Sequence, residues 1–134
     1  MKNLITIFLL LLFATTPCFP ETYLPKTAFV DEYFDSFKSN IHWSEQRVRL
    51  DNFATAISSE PRYIGYIAFE SSKKESLEKA KARIRRIVSY LTYQRKIEKS
   101  RITVVYIGEA KEPKIILQPV MEGTKPPFNQ KSGK

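Results

Sequence analysis

Residues 71–91 read SSKKESLEKAKARIRRIVSYL, and the spacing inside them predicts a helix. Leu77, Ala80, Ile84, Ile87, Val88 and Leu91 recur at intervals of three and four, the period of one apolar helical face. Ser71 or Ser72 is placed to cap its start. Glu75 and Lys79 stand four apart, in the favoured order for a helical ion pair. The stretches on either side are of another kind. Residues 62–69 (RYIGYIAF) are apolar at both parities from Ile64 onward, as in a central strand buried on both faces. Gly65 within them marks a bulge or a close backbone approach. Residues 101–107 (RITVVYI) are rich in β-branched side chains and predict another strand. Gly108 begins a turn, and residues 114–118 (KIILQ) predict a last strand before Pro119.

Upstream, Ser44 is a candidate N-cap with Glu45 in the first turn, where a negative charge suits the helix dipole. Val48, Leu50, Phe53, Ala54 and Ile57 mark an apolar face, and Pro61 lies just past its end. Residues 28–34 (AFVDEYF) predict a first strand. The order is β-α-β-α-β-β. Helices that connect strands of one sheet imply a two-layer α/β (α+β) sandwich, with both helices packed on one face of a mixed sheet.

The chain has 134 residues, enough for one domain. At 43% hydrophobic and 27% charged residues, it has the composition of a folded chain rather than a disordered one. The folded domain is expected over 28–120, after a linker at 21–27. Residues 1–20 have the pattern of a secretory signal peptide: Lys2, then an apolar run over 4–14 broken only by Thr6, then Thr15, Thr16, Pro17 and Pro20. The run is too short to cross a bilayer, which takes about 20 residues, so no transmembrane span is expected once the signal is removed. Small residues at the −3 and −1 positions favour a cut near Cys18. Cys18 is also the one residue suited to lipoprotein acylation, which Pro17 beside it disfavours. The expected address is outside the cytosol, in the periplasm or cell envelope. Residues 121–134 carry Gly123, Pro126, Pro127, Asn129, Gln130 and three lysines with no periodicity, and a disordered basic tail is expected there.

The chain carries a net charge of +8. Residues 73–101 hold eleven Lys or Arg against three Glu, a net of +8, so the second helix and its exit carry the whole imbalance. A surface of this kind concentrates anions. Arg83, Arg86, Tyr90 and Tyr93 fall at spacings of three and four, an interleaving that also suits nucleic acid; export argues against nucleic acid as the partner.

Three stretches resemble the OmpA-like, peptidoglycan-associated domain family: residues 49–61 (RLDNFATAISSEP), residues 83–91 (RIRRIVSYL), and Arg101-Ile102 followed by Gly108-Glu109 and Pro113. The resemblance implies the same β-α-β-α-β-β sandwich. It also implies a site for the stem peptide of peptidoglycan, whose diaminopimelate is held by an Asp after the second strand and an Arg in the following helix. A forked guanidinium grips a carboxylate through paired hydrogen bonds, and a carboxylate meets the ammonium group. By position the Arg corresponds to Arg83. The Asp has no counterpart: its place falls at Ser71 or Ser72, and Glu70 is the nearest carboxylate. The Asn-Arg-Arg run usual before the family's last strand is also absent. The expected site is therefore Arg83 facing a loop of Glu70, Ser71 and Ser72, with Lys79 and Arg86 adding salt-sensitive attraction to an anionic envelope component. The competing expectation is an extracytoplasmic protein-interaction module of the same fold, without peptidoglycan binding.

Little points to catalysis, and the expectation is a binding module without enzymatic activity or cofactor. With one His and one Cys, neither an internal disulfide nor a Cys/His zinc site can form. His42, beside Trp43, is the sole candidate general base. Asp31, Glu32 and Asp35 form a small acidic cluster, but no glycine-turned loop follows to make a Ca²⁺ site. The four glycines, at 65, 108, 123 and 133, make no phosphate-binding loop.

Overall fold

A computed structural model describes residues 33–125, 127 and 128. The expected leader with Cys18, the linker 21–27, and residues 28–32 with Asp31 and Glu32 lie outside the described residues, as do 126 and 129–134 of the expected tail.

The elements run β1 (Asp35–Lys38), α1 (Trp43–Ser58), β2 (Tyr63–Ser72), α2 (Leu77–Ser89), β3 (Ile102–Ala110) and β4 (Lys114–Met121). This is an α+β fold in the expected order. The sheet is mixed, in the order β1-β4-β2-β3. β2 and β3 are parallel, which their connection through α2 permits. β4 lies antiparallel between β1 and β2. Its run of Ile115, Ile116 and Leu117 is buried on both sheet faces, as befits a central strand. Among the described residues, no helix is long and apolar enough to cross a membrane.

Several boundaries differ from the expectation, each for a local reason. Among the described residues the first strand is Asp35–Lys38, past Tyr33 and Phe34 of the expected strand, because pairing with β4 sets Phe37 against Ile115 on the core side. Phe34 instead donates its backbone N–H to Gln118 Oε1 at 2.9 Å and stays exposed. α1 is capped by His42, not Ser44: its Nδ1 accepts from the Ser44 N–H at 3.3 Å. Val48 lies off the core face, which runs through Gln46, Leu50, Phe53, Ala54 and Ile57. β2 continues past Phe69, through a bulge, to pair Ser71 with Glu109 and Ser72 with Ala110. Neither serine can therefore cap α2, and Ser76 does so, accepting from the Lys79 N–H at 3.4 Å. Glu75 thus precedes the helix and makes no helical pair with Lys79. From the expected tail, Phe128 packs against Tyr33 with ring centroids 5.5 Å apart.

Both helices contribute to one core. Leu50, Phe53 and Ile57 of α1 and Ala80, Ile84 and Ile87 of α2 pack on Ile67, Phe69, Ile115 and Leu117 of the sheet. On the other face Ala68, Val105 and Ile116 lie side by side in register. Gly65 is neither the bulge nor the close backbone approach expected; it makes room for side chains of α1. A Cβ there would stand 2.5 Å from Ile57 Cδ1 and 2.9 Å from Phe53 Cζ, and both side chains are fully buried. α2 leaves through a π-helical turn, Tyr90–Gln94, and a left-handed Lys96 at φ 58° that turns Ile97 back into the core.

Arg101 closes the opposite end of the layer. Its guanidinium donates to the carbonyls of Ile57 at 2.6 Å, Glu60 at 2.9 Å and Tyr63 at 3.1 Å.

Two substitutions test this packing by urea denaturation. Gly65→Ala crowds two side chains with no room to retreat and should cost about 1–3 kcal/mol, the range for overpacked cores. Arg101→Ala leaves three partly buried carbonyls without their charged donor and should cost about 3 kcal/mol, given about 1.5–3 kcal/mol for a hydrogen bond to a charged group. Losses under about 0.5 kcal/mol, the usual scatter of surface substitutions, would contradict both accounts.

Candidate functional site

At the end of the sheet where β1 and β2 finish, three connections converge around a cleft of about 380 Å³. Lys38, Ser39 and Asn40 come from the end of β1, Ser72 and Glu75 from the β2–α2 passage, and Lys111, Glu112 and Pro113 from the β3–β4 turn; Arg83 reaches in from α2. The register brings them together. β1 and β4 pair Lys38 with Lys114, β2 and β3 pair Ser72 with Ala110, and the Ser39 N–H donates to the Pro113 carbonyl at 2.9 Å.

The cleft holds both charge signs. Arg83 Nη2 donates to Glu75 Oε1 in a partly buried ion pair. Across the rim, Lys38 Nζ stands 3.2 Å from Glu112 Oε2, with both side chains more than half exposed. Lys111 has no ion-pair partner among the described residues. A molecule carrying a carboxylate and an ammonium group could exchange partners with the inner pair, its carboxylate on the Arg83 fork and its ammonium on Glu75.

Of the six site residues expected from sequence, Arg83 and Ser72 line this cleft. Glu70 does not: it lies on β2, where its carboxylate accepts from the Lys114 N–H at 3.0 Å. Ser71 is buried, its hydroxyl 2.8 Å from that of Tyr106. Lys79 is an exposed first-turn residue of α2 outside the cleft lining. Arg86 lies over the Trp43 ring, 3.9 Å from its centroid. The facing loop is therefore the 72–75 passage rather than 70–72, and Glu75 takes the place sought for Glu70. Sequence reasoning missed Glu75, Lys38, Lys111 and Glu112. Reading Ser76 as the cap would have put Glu75 in the loop; the others are joined only by strand pairing.

The supposed arginine–tyrosine stripe serves mainly to join the helices. Trp43 and Tyr90 meet edge-on at 5.6 Å, Tyr90 donates its hydroxyl to Asp51 Oδ1 at 2.6 Å, and Arg95 Nε stands 3.4 Å from the same carboxylate. Tyr93 points away from these contacts and is exposed. His42 is exposed at the start of α1, its Nδ1 2.7 Å from the Ser44 hydroxyl, and it does not line the cleft. Asp35 pairs with Arg49 at 2.6 Å, which raises the pKa of that guanidinium. Among the described residues, no three of His, Cys, Asp and Glu converge as a metal site would require.

The molecule is thus an α+β sandwich with a charge-bearing cleft at one sheet end. Compared with known proteins, the chain matches no family model and no curated sequence.

The contact between the helices has a pH signature. The hydrogen bond to Asp51, and secondarily burial, raise the Tyr90 pKa above 10.0. The folded chain then holds this proton to higher pH than the unfolded one, so the contribution is complete below pH 10 and is lost as pH rises beyond it. Stability should fall more steeply above pH 10 for wild type than for Tyr90→Phe in parallel urea titrations. Equal slopes would show that the hydroxyl proton is not held by Asp51.

Proposed function

We propose that this chain is an exported, non-enzymatic binding module of the cell envelope, and that the cleft around Arg83 holds a charged envelope ligand of the peptidoglycan stem-peptide kind. One observation carries the reading: a forked guanidinium and a carboxylate, Arg83 and Glu75, share the inner wall of an open cleft at the end of β2. That is the charge pairing a diaminopimelate side chain requires, and the resemblance to the OmpA-like family points to the same strand end and the same helix. Glu75 supplies the carboxylate that the family carries as an Asp. The signal-like pattern of residues 1–20 supports the compartment. Lys38 and Lys111 at the mouth add attraction that salt weakens.

The ligand must displace the internal pair, so it gains little from charge alone and more from satisfying both partners at once. Specificity for a zwitterion over a simple anion follows.

Co-sedimentation of the full chain with purified peptidoglycan sacculi tests this. Wild type should pellet at low salt. Arg83→Ala should weaken pelleting about tenfold or more, the worth of a charge-assisted hydrogen bond or two, and Arg83→Lys should recover only part of it. Loss in Glu75→Gln as well would identify a zwitterion, whereas retention there would identify a plain anion. If wild type stays in the supernatant, or pellets no better than Arg83→Ala, the reading is wrong.

A further inference from the structure

On the flank of the molecule away from the cleft, β3 is an edge strand. Among the described residues, nothing pairs with its outer side. Edge strands are usually short, or blunted by lysine, proline or a covering element, because their free N–H and C=O groups invite another strand. β3 has little of this protection. It is nine residues long, and its straight part before the bulge reads ITVVY, with neither lysine nor proline.

Beside this edge runs a groove of about 450 Å³ between β3 and α2. Its apolar floor is Phe69, Ile84, Val88 and Val104. Val104 pairs in register with the fully buried Ile67, so it faces the helices, yet it remains 40% exposed because α2 does not extend over the strand edge. The rim is cationic: Lys81 and Arg85 from α2, and Lys99 from the turn entering β3. Lys81 makes only an exposed pair with Glu78, and Arg85 and Lys99 have no acidic partner within ion-pair distance among the described residues.

We infer that this edge and groove together form a docking site for an extended, acidic peptide segment of another protein, added as a fifth strand beside β3. The free backbone of β3 supplies the ladder, the usual source of affinity when a peptide extends a sheet. Side chains of an added strand alternate between faces, so every second residue enters the groove. Lys99 precedes β3 and Lys81 lies near the start of α2, so the cations flank the apolar floor at its two ends. The span from Lys81 to Val88 is about 10 Å of helix at about 1.5 Å per residue. Four residues of strand cover about 13 Å. The matching pattern is therefore acidic–x–aliphatic–x–acidic, its central residue against Val104 and Ile84, midway along that span. A second copy of this chain is disfavoured as the occupant, since edge-to-edge pairing would bring Lys81, Arg85 and Lys99 of two +8 chains together. The inference is independent of the cleft: Arg83 takes no part in it.

The probe is the fluorescein-labelled peptide TETVTET, amidated at its C-terminus, titrated with the full chain by fluorescence anisotropy at low salt. It should bind, and the charge-reversed TKTVTKT should bind at least about tenfold more weakly, because like charges replace attraction at two positions. Replacing both the central Val and the Thr after it by Pro should abolish binding, because one of any two neighbouring N–H groups must face β3. On the protein, Arg85→Glu should weaken the acidic probe about tenfold. Val104→Lys should abolish binding by filling the groove with a charge, and Val104→Thr, which keeps the shape and fold, should weaken it only partly. Arg83→Ala should leave peptide binding unchanged while altering pelleting with sacculi, which separates failure of this site from failure of the cleft. Equal binding of both probes, no binding of either, or indifference to Val104→Lys would overturn the proposal. So would a concentration-dependent dimer broken by Val104→Lys, which would assign the edge to a second copy. Binding to phosphatidylglycerol vesicles that needs Arg85, without binding of the peptide, would assign the groove to a membrane surface instead.

Discussion

The guanidinium of Arg101 decides where three elements meet. A helix ends with carbonyls that have no partner inside it, and these form the negative end of its dipole. Arg101 donates to the carbonyl of Ile57 in the last turn of α1, to that of Glu60 in the connection, and to that of Tyr63 at the start of β2. It does so from the residue just before β3, whose pairing with β2 opens at Ile102 opposite Gly65. One cation thus sets the end of α1, the start of β2 and the register of the parallel pair. That register sets Ile67 beside Val104 and Phe69 beside Tyr106, and the bulge after Phe69 shifts it by one residue to bring Ser72 level with Ala110 at the far end. The cleft exists because the pairing begun at Arg101 ends there. Gly65 completes the arrangement by leaving α1 room to settle on β2.

The charge of α2 and its exit is not one surface. Arg83 is committed to Glu75, Arg86 to the Trp43 ring, Arg95 to Asp51 and Arg101 to backbone carbonyls. These cations position elements or line the cleft, and a count of basic residues overstates the attraction left for a partner. What is left has direction. Arg85 and Lys99 stand beside the open edge of β3, whereas Lys111, from outside this run, stands at the cleft mouth. Each group faces a different kind of opening, one charged and enclosed by turns, the other apolar and bounded by a strand.

The order of elements was legible in the sequence because it rests on periodicity. The face through Ala80, Ile84 and Ile87 and the apolar runs of β2 and β4 appear where their spacing puts them. Errors arose where a local signal met a tertiary one. Ser71 is a good cap by type, but pairing with β3 carries β2 through it and leaves the cap to Ser76. Val48 fits a helical face by hydropathy, yet the polar Gln46 is the residue buried, its amide donating to the Ile41 carbonyl at 2.8 Å. Arg83 was legible from helix position and resemblance; Glu75 was hidden by the misplaced cap. Lys38, Lys111 and Glu112 lie far apart in sequence and meet only because β4 inserts between β1 and β2, a fact that no local pattern carries.

That insertion also explains why the two openings coexist without interfering. With β4 at the centre, the short β1 closes one flank and the long β3 is left bare on the other. α2 packs against β2 and leaves Val104 beyond its edge half-open. Two residues along a helix turn a side chain by about 200°, so Arg83 and Arg85, neighbours but one in sequence, leave α2 on opposite sides. One faces the turns at the sheet end, the other the strand at its margin. A single amphipathic helix whose apolar face is mostly taken by the core can still border two openings, because its polar side spans more of the circumference than either opening needs. The basic run that first looks like one patch is therefore divided by helical geometry between two openings, the cleft at the sheet end and the groove beside β3.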